Sequence, residues 1–570
     1  MPGGRKAWLS RAIKEHSQRE LGREATDPPV EFEETLADLR EYWSSAPPDP
    51  QETGLSRRDL LKAGGVLGAG LARAACTTKS NAATAPASES VAPLNAHDAR
   101  VVIVGAGLAG TTAAYRLMQA GVASQLYEAR ERIGGRCWTA REFAQGQIAE
   151  HGGEFIDSRH VHILGLAKEL GLGVDDLFPG YEGSWEPIWI DGHYLKHKQV
   201  QPDMERVRKA VTKTAREIGV FGKSGKGKPR TKPISYGTAT PGAVEMDQRS
   251  MTQWLDANVP GFTGSVAGRW FNETCCGWYG LGLDALSAVN LVDYFLIPYP
   301  GADERWHVTG GNDQVTTRVA AKLPAGSVHT QTALRAIRKT NSGYQLTFDG
   351  VGQPVAADLL ILTLPFTTLR QVDLSGAGFS EQKMAAINDL SMGYDAKVLL
   401  QYDRRPHTMN DWDGTLESIE PDFDTWESSV TQPGKAGLIT VYAGGTTGAG
   451  WTAPQPHGAA PAELRNSVLD RIDEAIPGSK AHFNGHAWAD LWPRDPWTNG
   501  AYAAFGVGQY TRFWKGTAQA DGNAHFAGEA TSTYSQGYLN GGVESGDRAA
   551  VEVMEKLGIP VPPSLAKLPH

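Results

Sequence analysis

At 570 residues the chain has room for two large domains, or for one domain threaded through another. Its net charge of -9 leaves no overall basic field, which argues against nucleic acid or an anionic membrane as a partner. The four cysteines, Cys76, Cys137, Cys275 and Cys276, form neither a disulfide framework nor a Cys-x-x-Cys metal signature, so no metal is expected.

In chain order, residues 31–43 read as an acidic helix, and Arg57-Arg58 then opens a mildly apolar stretch that ends in the small residues Ala74-Ala75. This is a twin-arginine export pattern, too short and too polar to span a bilayer. It predicts export to the periplasm or beyond. A cytoplasmic protein with an amphipathic start is the alternative, favoured by the roughly 55 residues before the pair. Residues 1–76 are therefore assigned to the extension and signal, and the Ala-, Ser-, Thr- and Pro-rich residues 77–97 to a linker.

Folded sequence begins with four apolar residues, 101–104, the pattern of a buried parallel strand. Gly105-x-Gly107-x-x-Gly110 follows: Gly105 for the tight turn, Gly107 for approach of a pyrophosphate, Gly110 for packing of the next helix on the strand. A second strand ends on Glu128, 18 residues after Gly110, placed to bind ribose hydroxyls. Arg130 and the run Gly134-Gly135-Arg136 then give a second close backbone approach with a guanidinium to neutralise phosphate, which favours FAD over NAD.

Further on, Lys397 is the charged residue of an otherwise apolar strand. Gly528-Glu529 supplies a turn and a carboxylate for ribityl hydroxyls, and Gly541-Gly542 opens a helix whose first N–H groups can stabilise a reduced flavin. Gly222-Lys223-Ser224 is not a phosphate loop, because position 217 is Glu rather than Gly; the segment reads as a mobile basic loop. Residues 270–296 read as apolar helix lining the substrate side, and 558–570 as an irregular tail.

From about residue 99 to residue 554 the sequence resembles the flavin-containing amine oxidases, comprising monoamine, polyamine and related L-amino-acid oxidases. Blocks at 100–136, 149–157, 308–337, 357–365, 394–402, 492–502 and 526–542 carry the resemblance. It implies an α/β fold: a discontinuous Rossmann-like FAD-binding domain (98–180, 305–365 and 485–557) with an inserted α+β substrate domain (181–304 and 366–484). It places Gly153, Glu154 and Phe155 along the flavin ring and Leu334 at the adenine. Trp492, Tyr538 and Leu539 of the closing blocks join the cofactor set. Lys397 is expected to hold a water against flavin N5, and Tyr502 and Tyr538 to flank the substrate amine.

The implied reaction is hydride transfer from the carbon beside the amine nitrogen to flavin N5, hydrolysis of the imine, and reduction of O2 to H2O2. Ala501 stands where covalent members carry cysteine, so FAD is expected to be noncovalent. Phe155 stands where several amino-acid oxidases clamp a carboxylate with arginine, leaving Arg159 or Arg305 as substitutes. Asp157 falls where plant polyamine oxidases carry a channel acid, which favours a cationic amine. The alternatives are an L-amino-acid oxidase, an amine dehydrogenase with another electron acceptor, a flavin desaturase and a non-catalytic binding module. A homodimer is left open.

Overall fold

A computed structural model describes residues 98–183, 188–223, 229–231, 234–297 and 301–568; the twin-arginine pattern and the linker lie outside them. The chain has an α/β fold built on two large sheets. The first has five parallel strands in the order Val328–His329, Ser124–Tyr127, Val101–Val104, Leu359–Leu362 and Ala524–Phe526.

Its central strands are apolar at every position because both faces are covered. Val101, Ile103, Leu359 and Ile361 meet the helices Leu108–Gln119 and Leu539–Lys556, while Val102, Val104, Leu360 and Leu362 belong to the core on the other side. That core is shared with a four-stranded sheet ordered Val355–Ala357, Tyr344–Phe348, Leu334–Lys339 and Asp373–Gly376. Gly110 is required at the first helix because a Cβ there would overlap the Gly105 carbonyl. The two helices are tied by Arg116, whose Nε donates to Asp547 Oδ1 at 2.8 Å, while His162 Nδ1 meets the other oxygen at 2.8 Å. Burial alone would raise the Asp547 carboxyl, but His162 and Arg116 outweigh it and hold the group below the usual carboxylate range.

The second sheet has eight strands in the order His457–Ala459, Phe483–Asp490, Ala396–Tyr402, Gly437–Ala443, Phe423–Glu427, Leu416–Ser418, Ile188–Ile190 and His193–Leu195. Strand Ala396–Tyr402 lies inside it, paired antiparallel on both sides. With a two-residue period its side chains divide cleanly. Ala396, Val398, Leu400 and Tyr402 pack with Val468, Leu469 and Ile472 of helix Ala462–Ala475. On the opposite face Leu399 packs against Phe143 and Ala149, which turns Lys397 toward the segment after residue 150. The range 485–557 opens within strand Phe483–Asp490, so its first residues sit in this sheet rather than in the five-stranded one.

Two local expectations are corrected. The segment read as a basic loop carries a short hairpin, Phe221–Lys223 against Pro229–Thr231. The tail is not irregular throughout: Pro563–Ala566 is a helical turn, and Leu565 is buried beside the first sheet, where its apolar contact outweighs the breaking effect of the prolines. The apolar 270–296 stretch divides into helices Val266–Tyr279 and Asn290–Leu296, the first closed by Gly280 in the left-handed conformation. Among the described residues no helix is long and apolar enough to cross a membrane.

Candidate active site

A single cavity of about 390 Å³ runs from the carboxyl ends of the parallel strands to the face of the eight-stranded sheet that bears Lys397. The site residues expected from the sequence line it except Gly541, Arg305 and Gly110, the last of which serves helix packing instead.

At one end the groups suit a dinucleotide. The first helix begins at Gly107 with no side chain capping its N-terminus, so its first N–H groups are open to an anion. Above Gly107 the nearest atom to a Cβ would be the Gly134 carbonyl at 3.8 Å, which leaves the approach clear. Glu128 is buried and held by backbone: Ala106 N donates to Oε2 at 2.8 Å and Arg130 N to Oε1 at 2.9 Å. The Arg130 guanidinium pairs with Asp495 at 2.6 Å.

Glu529 organises the middle. It accepts from Arg136 Nη1 at 2.8 Å, from Ala503 N at 3.2 Å and from Gly537 N at 3.0 Å. Arg136 also donates to the Ala501 carbonyl at 2.7 Å. One buried carboxylate thus joins the glycine-arginine run to both closing segments. Leu539 packs over Gly153, where a Cβ would come within 2.8 Å of it, and helix Leu539–Lys556 starts without a side-chain cap. Trp492 donates from Nε1 to the His151 carbonyl at 2.8 Å, and Leu334 closes the wall at the far end. Two uncapped helix starts, two glycine approaches and the half-buried Arg136 fit FAD.

At the other end Lys397 is buried. Its ammonium donates to the carbonyls of Glu150 at 3.0 Å and Gly152 at 2.7 Å, and pairs with Glu154 Oε2 at 3.1 Å. All three of its protons are thus directed to protein acceptors, so the expectation of a water held by this amine acquires a competitor in Glu154. The Trp426 ring centroid lies 5.3 Å from Nζ. Around this pair stand Phe155, Trp426, Tyr442, Tyr502 and Tyr538. Tyr502 donates to the Gly277 carbonyl at 3.0 Å, and its hydroxyl meets that of Tyr442 at 2.8 Å. Burial pushes both phenols well above their ordinary range, so they stay neutral at physiological pH.

Asp157 lines the cavity but not as an available anion, which corrects its reading as a cation-binding acid. Oδ1 accepts from Glu304 N at 2.8 Å, and Oδ2 faces Arg159 Nε at 3.2 Å and His160 Nε2 at 3.3 Å. Arg305, the second substitute clamp, is paired with Asp176. Residues that sequence reasoning missed include Asp395, Tyr442 and Trp426. Asp395 had a signal: two residues before Lys397, strand periodicity puts it on the same face. Tyr442 and Trp426 had none, because only strand register brings them there; Tyr442 sits directly opposite Lys397.

Residues 108–554 match the family of flavin containing amine oxidoreductases. The chain belongs to that family. This amine oxidoreductase is therefore an FAD enzyme. It is 26% identical over 528 residues to a nicotine dehydrogenase of Pseudomonas putida, covering 88% of this chain and 98% of that one. It is 22% identical over 497 residues to the flavin-containing amine oxidase A of Bos taurus, covering 80% and 85%. Among solved structures, the cyclohexylamine oxidase of Brevibacterium oxydans superposes with a TM-score of 0.69 at 21% identity, covering 81% of this chain and all of that one. A putrescine oxidase superposes with a TM-score of 0.66 at 20% identity, covering 80% and 99%. These two likenesses carry the fold.

Proposed function

We propose that the protein oxidises an amine at the carbon beside its nitrogen, with FAD held noncovalently and O2 as the final acceptor. The observation that carries the choice of substrate is the state of the arginines in the cavity wall. Of the two candidate clamps, Arg159 in the wall is paired with Asp157, and Arg305 is paired with Asp176. Both candidate clamps for a substrate carboxylate are thus engaged by protein, which favours an amine over an amino acid.

The aromatic walls suit the same choice. Ring faces attract a cation on arrival, and neutral phenols pose no charge barrier to the free amine. FAD, when bound, supplies the hydride acceptor. Lys397 fixes the backbone of Glu150 and Gly152 and neutralises Glu154, so a buried charge pair rather than a lone anion borders the reacting end.

The absence of a thioether link is supported by Ala501 in the closing block and by the state of Cys137. That thiol lines the cavity, but burial, then Glu150 and Asp313, push it well above its usual range. Acid precipitation is expected to leave a white pellet and a yellow supernatant; a yellow pellet overturns noncovalent binding. Carriage of a folded, FAD-loaded protein by the Arg57-Arg58 signal remains part of this proposal.

A second reading, an amine dehydrogenase, is favoured by the likeness to the nicotine dehydrogenase of Pseudomonas putida. The two are separated by admitting air after an amine has bleached the flavin. Rapid return of the yellow colour with H2O2 formed supports the oxidase. Colour that returns only on addition of a quinone or protein acceptor selects the dehydrogenase.

A further inference from the structure

We infer that His457 is a positioning residue for the cofactor: with a proton on each ring nitrogen it balances the buried Asp490 and Asp495, and so leaves the charge of Arg130 available to the phosphates of FAD. This rests on the noncovalent binding proposed above.

His457 opens strand His457–Ala459, at the edge of the eight-stranded sheet, and stands directly opposite Asp490. Asp490 in turn stands opposite Lys397, and directly opposed residues share a face, so all three lie on the side of the sheet that borders the cavity. Asp495 reaches the same place from the helical turn Trp492–Arg494. Nδ1 of His457 lies 2.8 Å from Asp490 Oδ1, and Nε2 lies 2.7 Å from Asp495 Oδ2.

These contacts fix the protonation of the ring. A neutral imidazole has one N–H and one lone pair, and the lone pair would face a carboxylate oxygen. Nor does either carboxyl carry the proton instead, because every oxygen of the pair already meets a donor. Asp490 Oδ1 accepts from Trp488 Nε1 at 3.2 Å, and Oδ2 meets His151 Nδ1 at 2.9 Å. Asp495 Oδ1 accepts from Trp497 N at 2.7 Å, and Oδ2 from Arg130 Nη2 at 2.6 Å. Only the imidazolium donates at both ends. Burial alone would lower the ring, but Asp490 and Asp495 outweigh it and raise His457 above its ordinary value. Around the ring stand Trp492 and Trp138, with centroids at 4.6 and 5.3 Å. Arg132 lies 3.9 Å from the Trp138 centroid, and Glu128, beyond Arg130, is held by backbone N–H groups.

The two carboxylates face two cations, His457 and Arg130, so the buried group is neutral with the ring protonated and carries one negative charge without it. His457 and Arg130 donate to the same oxygen, Asp495 Oδ2. A carboxylate shared in this way neutralises neither cation fully, and Arg130, in the cavity wall, keeps charge for a phosphate. Loss of the ring proton gives Asp495 wholly to Arg130 and sets a net negative charge beside the anionic pyrophosphate. His457 acts through Asp495 and does not itself line the cavity.

Because the ring is raised, its contribution is complete below the ordinary histidine range and is lost as pH rises through the raised value. The test is FAD titration of the apoprotein, followed by flavin fluorescence from mildly acid to alkaline pH. The wild-type Kd is expected to stay level up to neutrality and to weaken about tenfold in alkali. His457→Gln is expected to bind about tenfold more weakly at neutral pH and to meet the wild type in alkali, where the wild type has lost the same charge. Adding Asp490→Asn to His457→Gln restores neutrality and is expected to recover most of the affinity. Asp490→Asn alone leaves the ring with one carboxylate, so its alkaline weakening is expected about one pH unit lower. That variant decides the matter if His457→Gln does not fold. A ratio of variant to wild-type Kd that is constant across pH with no recovery in the double variant, or an unmoved limb in Asp490→Asn, overturns the role of the charge. Flavin that stays with the acid-precipitated protein defeats the noncovalent reading and this inference with it.

Discussion

Lys397→Met is expected to slow flavin reduction, flavin reoxidation or both by on the order of 10²-fold or more. Methionine keeps the length of the side chain and removes its charge. Two effects follow from the geometry. The carbonyls of Glu150 and Gly152 lose the donor that fixes the segment leading to Phe155, and Glu154 is left as a buried anion without its cation. The second effect is separable. In the double variant Lys397→Met with Glu154→Gln the uncompensated charge is gone, so any rate recovered measures the neutralising role and any deficit that persists measures positioning. Stopped-flow reduction under anaerobiosis and reoxidation by air read the half-reactions individually; unchanged rates in both would remove Lys397 from the mechanism.

Glu529→Ala is expected to yield a protein that purifies largely without FAD. Its carboxylate gathers Arg136, the Ala503 N–H and the Gly537 N–H at one point of the cavity. Leaving a buried donor unpaired costs about 1–3 kcal/mol, and two such losses already amount to a Kd for FAD weaker by about 30-fold or more. Arg136 carries the larger share, because it also braces the Ala501 carbonyl. Glu529→Gln keeps an acceptor and loses the charge, so it is expected to fall between the two. FAD titration of the apoprotein followed by fluorescence checks this; wild-type affinity in Glu529→Ala would contradict it.

The nucleotide half of the site was legible in the sequence because its chemistry is local. Gly105, Gly107 and Gly110 act on backbone within one strand-turn-helix unit, and Glu128 lies one strand away. Spacing along the chain is therefore spacing in the structure. The substrate half was legible only through isolated residues. Lys397 stood out as a charge in an apolar strand, but nothing local reported that this strand is interior to an eight-stranded sheet or that Glu154 is its partner. Strand pairing is non-local, so Tyr442 and Trp426 reach the cavity from strands Gly437–Ala443 and Phe423–Glu427 with no sequence pattern linking them to Lys397. Asp157 shows the opposite failure. Its position along the chain suggested an available anion, whereas Arg159, His160 and the Glu304 N–H occupy it, and the last of these comes from 147 residues away.

The most direct test of an FAD enzyme that oxidises amines is anaerobic mixing of the yellow protein with two panels, watching the flavin absorbance. One panel holds arylalkylamines, alicyclic amines and polyamines, the other L-amino acids. Bleaching by amines and not by amino acids is the expected result, since the two candidate carboxylate clamps, Arg159 and Arg305, are engaged by Asp157 and Asp176. Bleaching by L-amino acids with the amines inert would contradict the account, because it would require one of those pairs to open for a substrate carboxylate.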